Sequence, residues 1–139
     1  MRTRRLLVVA AGMTLCVAAC STPEPALGGT TATVTIDGEQ VNGTQPVRCQ
    51  QSGWSWYVET PGEDPGFTAV LETGGAVTAK SVQFRDFGGF SGAFWVDNIG
   101  EAEATGENGR YTITGTADGN FTDRPSEAVS ARFRIETDC

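Results

Sequence analysis

The sequence predicts an all-β domain, an antiparallel β-sandwich or barrel-like fold of about eight strands carrying one disulfide. Three observations lead there. Apolar and polar residues alternate with a period of two, most cleanly near the C-terminus. Turn dipeptides recur between the alternating segments, among them Asp37-Gly38, Asn42-Gly43, Pro61-Gly62, Gly88-Gly89, Asn108-Gly109 and Asp118-Gly119. Beyond the first nineteen residues, no stretch carries the 3.6-residue periodicity of an amphipathic helix.

The chain opens with a leader, residues 1–19. Arg2, Arg4 and Arg5 form a positive head, and residues 6–19 are an uncharged, mostly apolar run. Val17, Ala18 and Ala19 place small residues directly before Cys20, as a secretory cleavage site requires. The run is too short to cross a bilayer, which takes roughly 20 apolar residues. Val17-Ala18-Ala19-Cys20 resembles the bacterial lipobox, in which the cysteine receives a diacylglyceryl thioether and becomes the new N-terminus. One acyl chain anchors marginally and two or more anchor stably, at about 0.8 kcal/mol per buried methylene. The expected address is the cell envelope, lipid-anchored and extracytoplasmic, with part of the protein secreted. Arg4-Arg5 also fits a twin-arginine export signal, so the export route stays open.

Residues 20–31 follow as a lipidated N-terminus and tether, rich in Pro, Gly and small residues without periodicity. The β-domain is expected over 32–139, with strands at 32–36, 46–50, 54–60, 67–72, 77–84, 90–96, 101–105, 110–117 and 128–137. In the last, Val129, Ala131, Phe133, Ile135 and Cys139 share one face, and Ser130, Arg132, Arg134, Glu136 and Asp138 take the other. Val47 and Cys49 alternate in the same way with Arg48 and Gln50.

That parity turns both sulfurs inward. Of the four cysteines, cleavage discards Cys16 and lipid consumes Cys20. Cys49 and Cys139 remain in an oxidising compartment and are expected to pair, the rival readings being free thiols or a metal pair that lacks further ligands. The loop closed would hold about 91 residues, worth roughly 4–5 kcal/mol in the chain-entropy model.

Charge and composition exclude several functions. Of ten basic residues three lie in the leader, which holds none of the seventeen acidic ones, so the mature protein carries about −10. Such a domain repels nucleic acid, whose binding needs Lys and Arg to neutralise phosphates. There is no histidine, hence neither the commonest general base nor the commonest metal ligand. Lys80 is the lone lysine, with no Ser-x-x-Lys motif around it. The carboxylate pairs Glu63-Asp64 and Glu101 with Glu103 read as exposed polar positions. Asn42-Gly43-Thr44 and Asn120-Phe121-Thr122 match a glycosylation sequon that carries little meaning in a bacterium. No catalytic residue, metal site or cofactor is assigned.

The aromatic residues are the remaining lead. Trp54, Trp56, Phe84 and Phe94 are candidates to line a groove for an envelope lipid or glycan, in which case the protein would be a carrier or binding module. Against that, a domain of this size needs a core, and the three tryptophans are expected to supply much of it.

Several of these features occur together in a known order: lipobox, short tether, Val34-Thr35-Ile36-Asp37-Gly38, a cysteine at 49, Tyr111-Thr112-Ile113-Thr114-Gly115-Thr116-Ala117 and a terminal Cys139. The chain thereby resembles the mycobacterial nineteen-kilodalton lipoprotein antigens, the LpqH type. The resemblance implies an envelope lipoprotein and antigen without enzyme activity. Its partners would be the membrane, through Cys20, and a host receptor, Toll-like receptor 2 being the kind that reads acylated N-termini. The tether is poorer in Ser and Thr than the family pattern, leaving Thr22, Thr30 and Thr31 as candidate O-glycosylation sites. The aromatic cluster also departs from that pattern.

Overall fold

Strand β10, Arg124–Asp138, organises the domain. From Ser130 onward it alternates without a break: Ala131, Phe133, Ile135 and Thr137 are buried, and the residues between them face solvent. A strand of this kind must lay its apolar face on a core and can pair along both edges. It pairs with β1 (Thr31–Ile36) on one side and β9 (Arg110–Phe121) on the other, both antiparallel. The computed structural model describes residues 30–139, so the leader, Cys20 and the tether up to residue 29 lie outside the described residues.

The other strands are β2 (Glu39–Pro46), β3 (Arg48–Ser52), β4 (Ser55–Glu59), β5 (Gly66–Glu72), β6 (Thr78–Phe87), β7 (Phe90–Trp95) and β8 (Glu101–Glu107). All ten join one antiparallel sheet in the order β2-β1-β10-β9-β7-β6-β5-β4-β3, with β8 added to β9. The sheet folds over on itself and is nearly closed as a barrel. Among the described residues there is no helix.

Strand β9 is where the sheet divides. Its residues 110–116 pair with β8, and 118–121 pair with β7. Two glycines allow both partners to approach. A Cβ at Gly115 would collide with the Glu101 carbonyl oxygen, and one at Gly119 with that of Ser91. Asp118-Gly119, expected as a turn, therefore runs inside a strand.

The inner faces interdigitate. Val34 and Ile36 of β1, Ile113 of β9 and Ile135 of β10 are buried beside Val58, Leu71 and Val82 from β4, β5 and β6. Phenylalanine dominates one end of the core. Phe84 and Phe133 stand 5.4 Å apart across the interior, Phe67 and Phe87 5.6 Å, and Phe84 and Phe90 5.9 Å. These edge-on and tilted pairings suit the quadrupoles of the rings.

The all-β antiparallel expectation holds, with three corrections. The strands number ten rather than about eight. The missed one, β2, is polar and exposed along most of its length, so it offers no alternation to read. Asn42 and Gly43, both at positive φ, form an irregularity within β2 rather than the turn expected before a strand at 46–50. Finally, the tryptophans do not build the core: Trp54 and Trp95 are 67% and 59% exposed, and Trp56 only borders it.

Phe84 makes ring contacts with Phe67, Phe87, Phe90 and Phe133. Phe84→Ala is expected to lower unfolding stability by about 3–5 kcal/mol, read as a lower urea midpoint at unchanged slope.

Candidate functional site

A folded-over sheet leaves a seam where its outer strands meet, and here the seam is covalent. Cys49 lies in β3, opposite Val58, and Cys139 follows the last residue of β10. Their sulfurs are bonded, with the Cα atoms 5.8 Å apart. The parity of both strands turns these side chains towards the interior, as the alternation predicts, and both pack partly buried against the core. Further hydrogen bonds fix the strand ends around the cross-link. The Val47 amide donates to the Thr30 carbonyl at 3.0 Å, and the Cys139 amide donates to that of Gly109 at 2.6 Å. The Thr137 hydroxyl donates to the Thr31 carbonyl at 3.1 Å.

Beside the disulfide lies an open, mainly apolar depression of about 520 Å³, bordered by Thr30, Val47, Arg48, Trp56 and Pro61 as well as the two half-cystines. The chain thus enters the described domain at the rim of its own cross-link. Trp56 tilts against Tyr111 of β9 with ring centres 6.2 Å apart, bridging the two sides of the fold.

The four aromatic residues singled out from the sequence do not come together. Trp54 sits in the turn before β4 and packs over Gly74. Trp56 borders the depression at the disulfide. Phe84 belongs to the phenylalanine cluster and touches a separate open depression between β6 and β7. Phe94 is buried in the core. Instead, among the described residues the large apolar side chains left exposed are Trp54, Tyr57, Trp95 and Ile99. Alternation alone marks Tyr57, which faces away from Trp56 and Val58. Nothing in the local pattern marks Ile99.

The polar groups weighed from the sequence are in structural contacts or exposed. Arg85 binds the Glu63 carbonyl through Nε at 2.8 Å and lies 3.8 Å from the Asp64 carboxylate. Glu101 and Glu103 stand exposed on β8, opposite Thr116 and Thr114. Lys80 pairs with Glu72 at 3.3 Å. The buried hydroxyl of Thr60 accepts from the Phe67 amide at 3.0 Å. Among the described residues no three His, Cys, Asp or Glu side chains converge in a way that could hold a metal ion.

Comparison with known proteins finds relatives over nearly the whole chain. The family model described as Mycobacterium 19 kDa lipoprotein antigen matches residues 25–139. A putative lipoprotein of Mycobacterium indicus pranii is 35% identical over 135 residues, covering 94% of this chain and 96% of the relative. The probable lipoprotein LppE of Mycobacterium tuberculosis is 34% identical over 134 residues, covering 96% and 91%. Lipoprotein LpqH of the same organism is 34% identical over 107 residues, covering 76% and 67%.

The cross-link spans 90 residues of sequence, so its loss frees a long loop in the unfolded chain. Cys49→Ser with Cys139→Ser is expected to reduce stability by about 2–5 kcal/mol relative to the oxidised protein, measured by denaturant titration. Intact mass should rise by about two daltons when the wild-type protein is reduced.

Proposed function

The chain belongs to the Mycobacterium 19 kDa lipoprotein antigen family, and on that premise we propose that it is a lipid-anchored surface antigen of the cell envelope that works without catalysis. The observation carrying this reading is Val17-Ala18-Ala19-Cys20, a lipobox set behind a positive head and ahead of a disulfide-locked β-domain. In this reading cleavage after Ala19 makes Cys20 the first residue. Residues 20–31 join the acylated cysteine to the domain over 32–139. Ten residues from Cys20 to Thr30 span at most about 35 Å, so the domain stays close to the membrane surface.

Two properties of the chain fit that placement. The mature protein is strongly acidic, and anionic headgroups would repel it, so attachment depends on the acyl chains rather than on charge. The ionisable side chains that could suggest an active site are exposed or spent in pairs. The acylated N-terminus is then the group offered to a host receptor of the Toll-like receptor 2 kind, and the β-domain is the antigenic body displayed beside it.

The test compares the wild-type chain with Cys20→Ala, both expressed in a mycobacterium and fractionated with detergent. Wild type is expected in the membrane and detergent phases, with a mass equal to residues 20–139 plus acyl groups. Cys20→Ala is expected in the aqueous phase, and its signal in Toll-like receptor 2 reporter cells should fall to background. A variant that still partitions with membranes would refute the anchor. Equal reporter signals from the two proteins would refute the receptor role alone.

A further inference from the structure

The dipeptide Asn-Gly occurs twice in the chain, and the fold treats the two copies differently. Both start from nearly the same backbone: φ is 55° and 63° at Asn42 and Gly43, and 52° and 79° at Asn108 and Gly109. Such a left-handed pair makes a two-residue hairpin turn, and Asn108-Gly109 is one, closed by the pairing of Glu107 with Arg110. The Cys139 amide donates to the Gly109 carbonyl at 2.6 Å, and a Cβ on Gly109 would meet the Cys139 backbone at 3.3 Å. That copy is held by both of its strands and by the residue after β10.

Asn42-Gly43 sits in a gap of its ladder. Val41 pairs with Val34 and Gln45 with Ala32, so Asn42, Gly43 and Thr44 together face the single residue Thr33. All three are exposed, and a Cβ on Gly43 would stand in open space. Strand β2 ends the strand order, so among the described strands only β1 flanks this segment. Its ends are firm, because Val41 packs over Gly88 and Val47 is tied to Thr30. Inside the gap, the Gln45 side-chain amide donates to the Asn42 carbonyl.

We propose that Asn42 is a modification site, where the folded protein converts its own side-chain amide to a carboxylate using only water. The Gly43 nitrogen, having lost its proton to base, attacks the side-chain carbon of Asn42. The new C–N bond closes a five-membered imide, and the side-chain nitrogen leaves as ammonia. Water then opens the imide at either carbonyl, giving aspartate or its isoaspartyl isomer. The sum is amide plus water going to carboxylate plus ammonium.

Attack requires the Asn42–Gly43 peptide to rotate out of its left-handed geometry. A ladder gap leaves that local motion open, whereas at Asn108 it would break a hairpin turn. Glycine places no Cβ in the way of the attack. Asn98 and Asn120 are followed by Ile99 and Phe121, which do. The hydrogen bond from Gln45 draws electron density from the peptide that must lose its proton, which favours that loss.

The product adds one negative charge to an exposed edge. Its isoaspartyl form lengthens the backbone by one carbon where three residues already oppose one, so the pairs on either side keep their register. An old molecule thereby differs from a new one at its surface while keeping its fold. The reaction uses no acyl group, so its failure would leave the reading of Cys20 untouched.

The experiment incubates the purified full chain in mildly alkaline buffer, native in one arm and reduced in urea in the other. Peptide mass spectrometry follows the gain of about one dalton at each asparagine. In the native arm Asn42 is expected to react at least about tenfold faster than Asn108; in urea the two rates should converge. Asn42→Asp carries the product charge from the start and is expected to keep the urea midpoint of wild type. The proposal is overturned if native Asn42 gains no mass, if the two native rates are equal, or if urea preserves the native ratio. That last result would assign the difference to neighbouring residues rather than to the fold. A lowered midpoint in Asn42→Asp would overturn the claim that the fold tolerates the product.

Discussion

Ten strands in one sheet leave edges, and a domain this small depends on how those edges are disposed of. An unpaired edge is a template for another chain, and a curled sheet without a lock can spring open. Here the curling brings β3, at one end of the strand order, to the end of β10, two places from the other. The Cys49–Cys139 bond joins them, and the Val47 and Thr137 hydrogen bonds to residues 30 and 31 tie down the start of β1 beside it. The other end of the order, β2, is left as a polar strand broken by the Asn42-Gly43 irregularity and ending in Pro46. Those features disfavour pairing with a neighbour. The phenylalanine cluster fills the interior that closure creates.

How much of this could be read beforehand depended on whether a strand has one wet face. β10 and β1 do, and their alternation located core positions; the parity of Val47 with Cys49 and of Cys139 with β10 turned the sulfurs inward, and the cysteine count paired them. β2 is wet on both sides, and its residues report only turn chemistry. The sharing of β9 between β7 and β8 was hidden for another reason: it is written in Gly115 and Gly119, and a glycine signals a turn as readily as a close approach. Ring size alone does not place a tryptophan in the core. Six buried phenylalanines, packed with aliphatic side chains, fill the core, and Trp54 and Trp95 lie outside it.

Site residues divide along the same line. Cysteine positions are constrained by covalent geometry and strand parity, both visible in sequence. Which copy of Asn-Gly stands in a ladder gap is decided by strand register, and as dipeptides the two are identical. Their difference exists only once β1 lies beside β2 and Cys139 beside the β8–β9 turn. Local pattern marks both as turns; it cannot show what holds each in place.

The cross-link also fixes what a protease could accomplish. Residues 49 and 139 enclose almost the whole described domain in a covalent ring, with only β1, β2 and the residues around them outside it. A single cut anywhere between the two cysteines opens the ring without releasing either piece, since the C-terminal fragment stays tied to residue 49. Separating this ring from the residues before it in one stroke therefore requires a cut before Cys49. Nicked molecules would stay covalently whole until a reductant arrived, so the redox state of the surroundings, rather than protease access alone, would govern when the fragments can part.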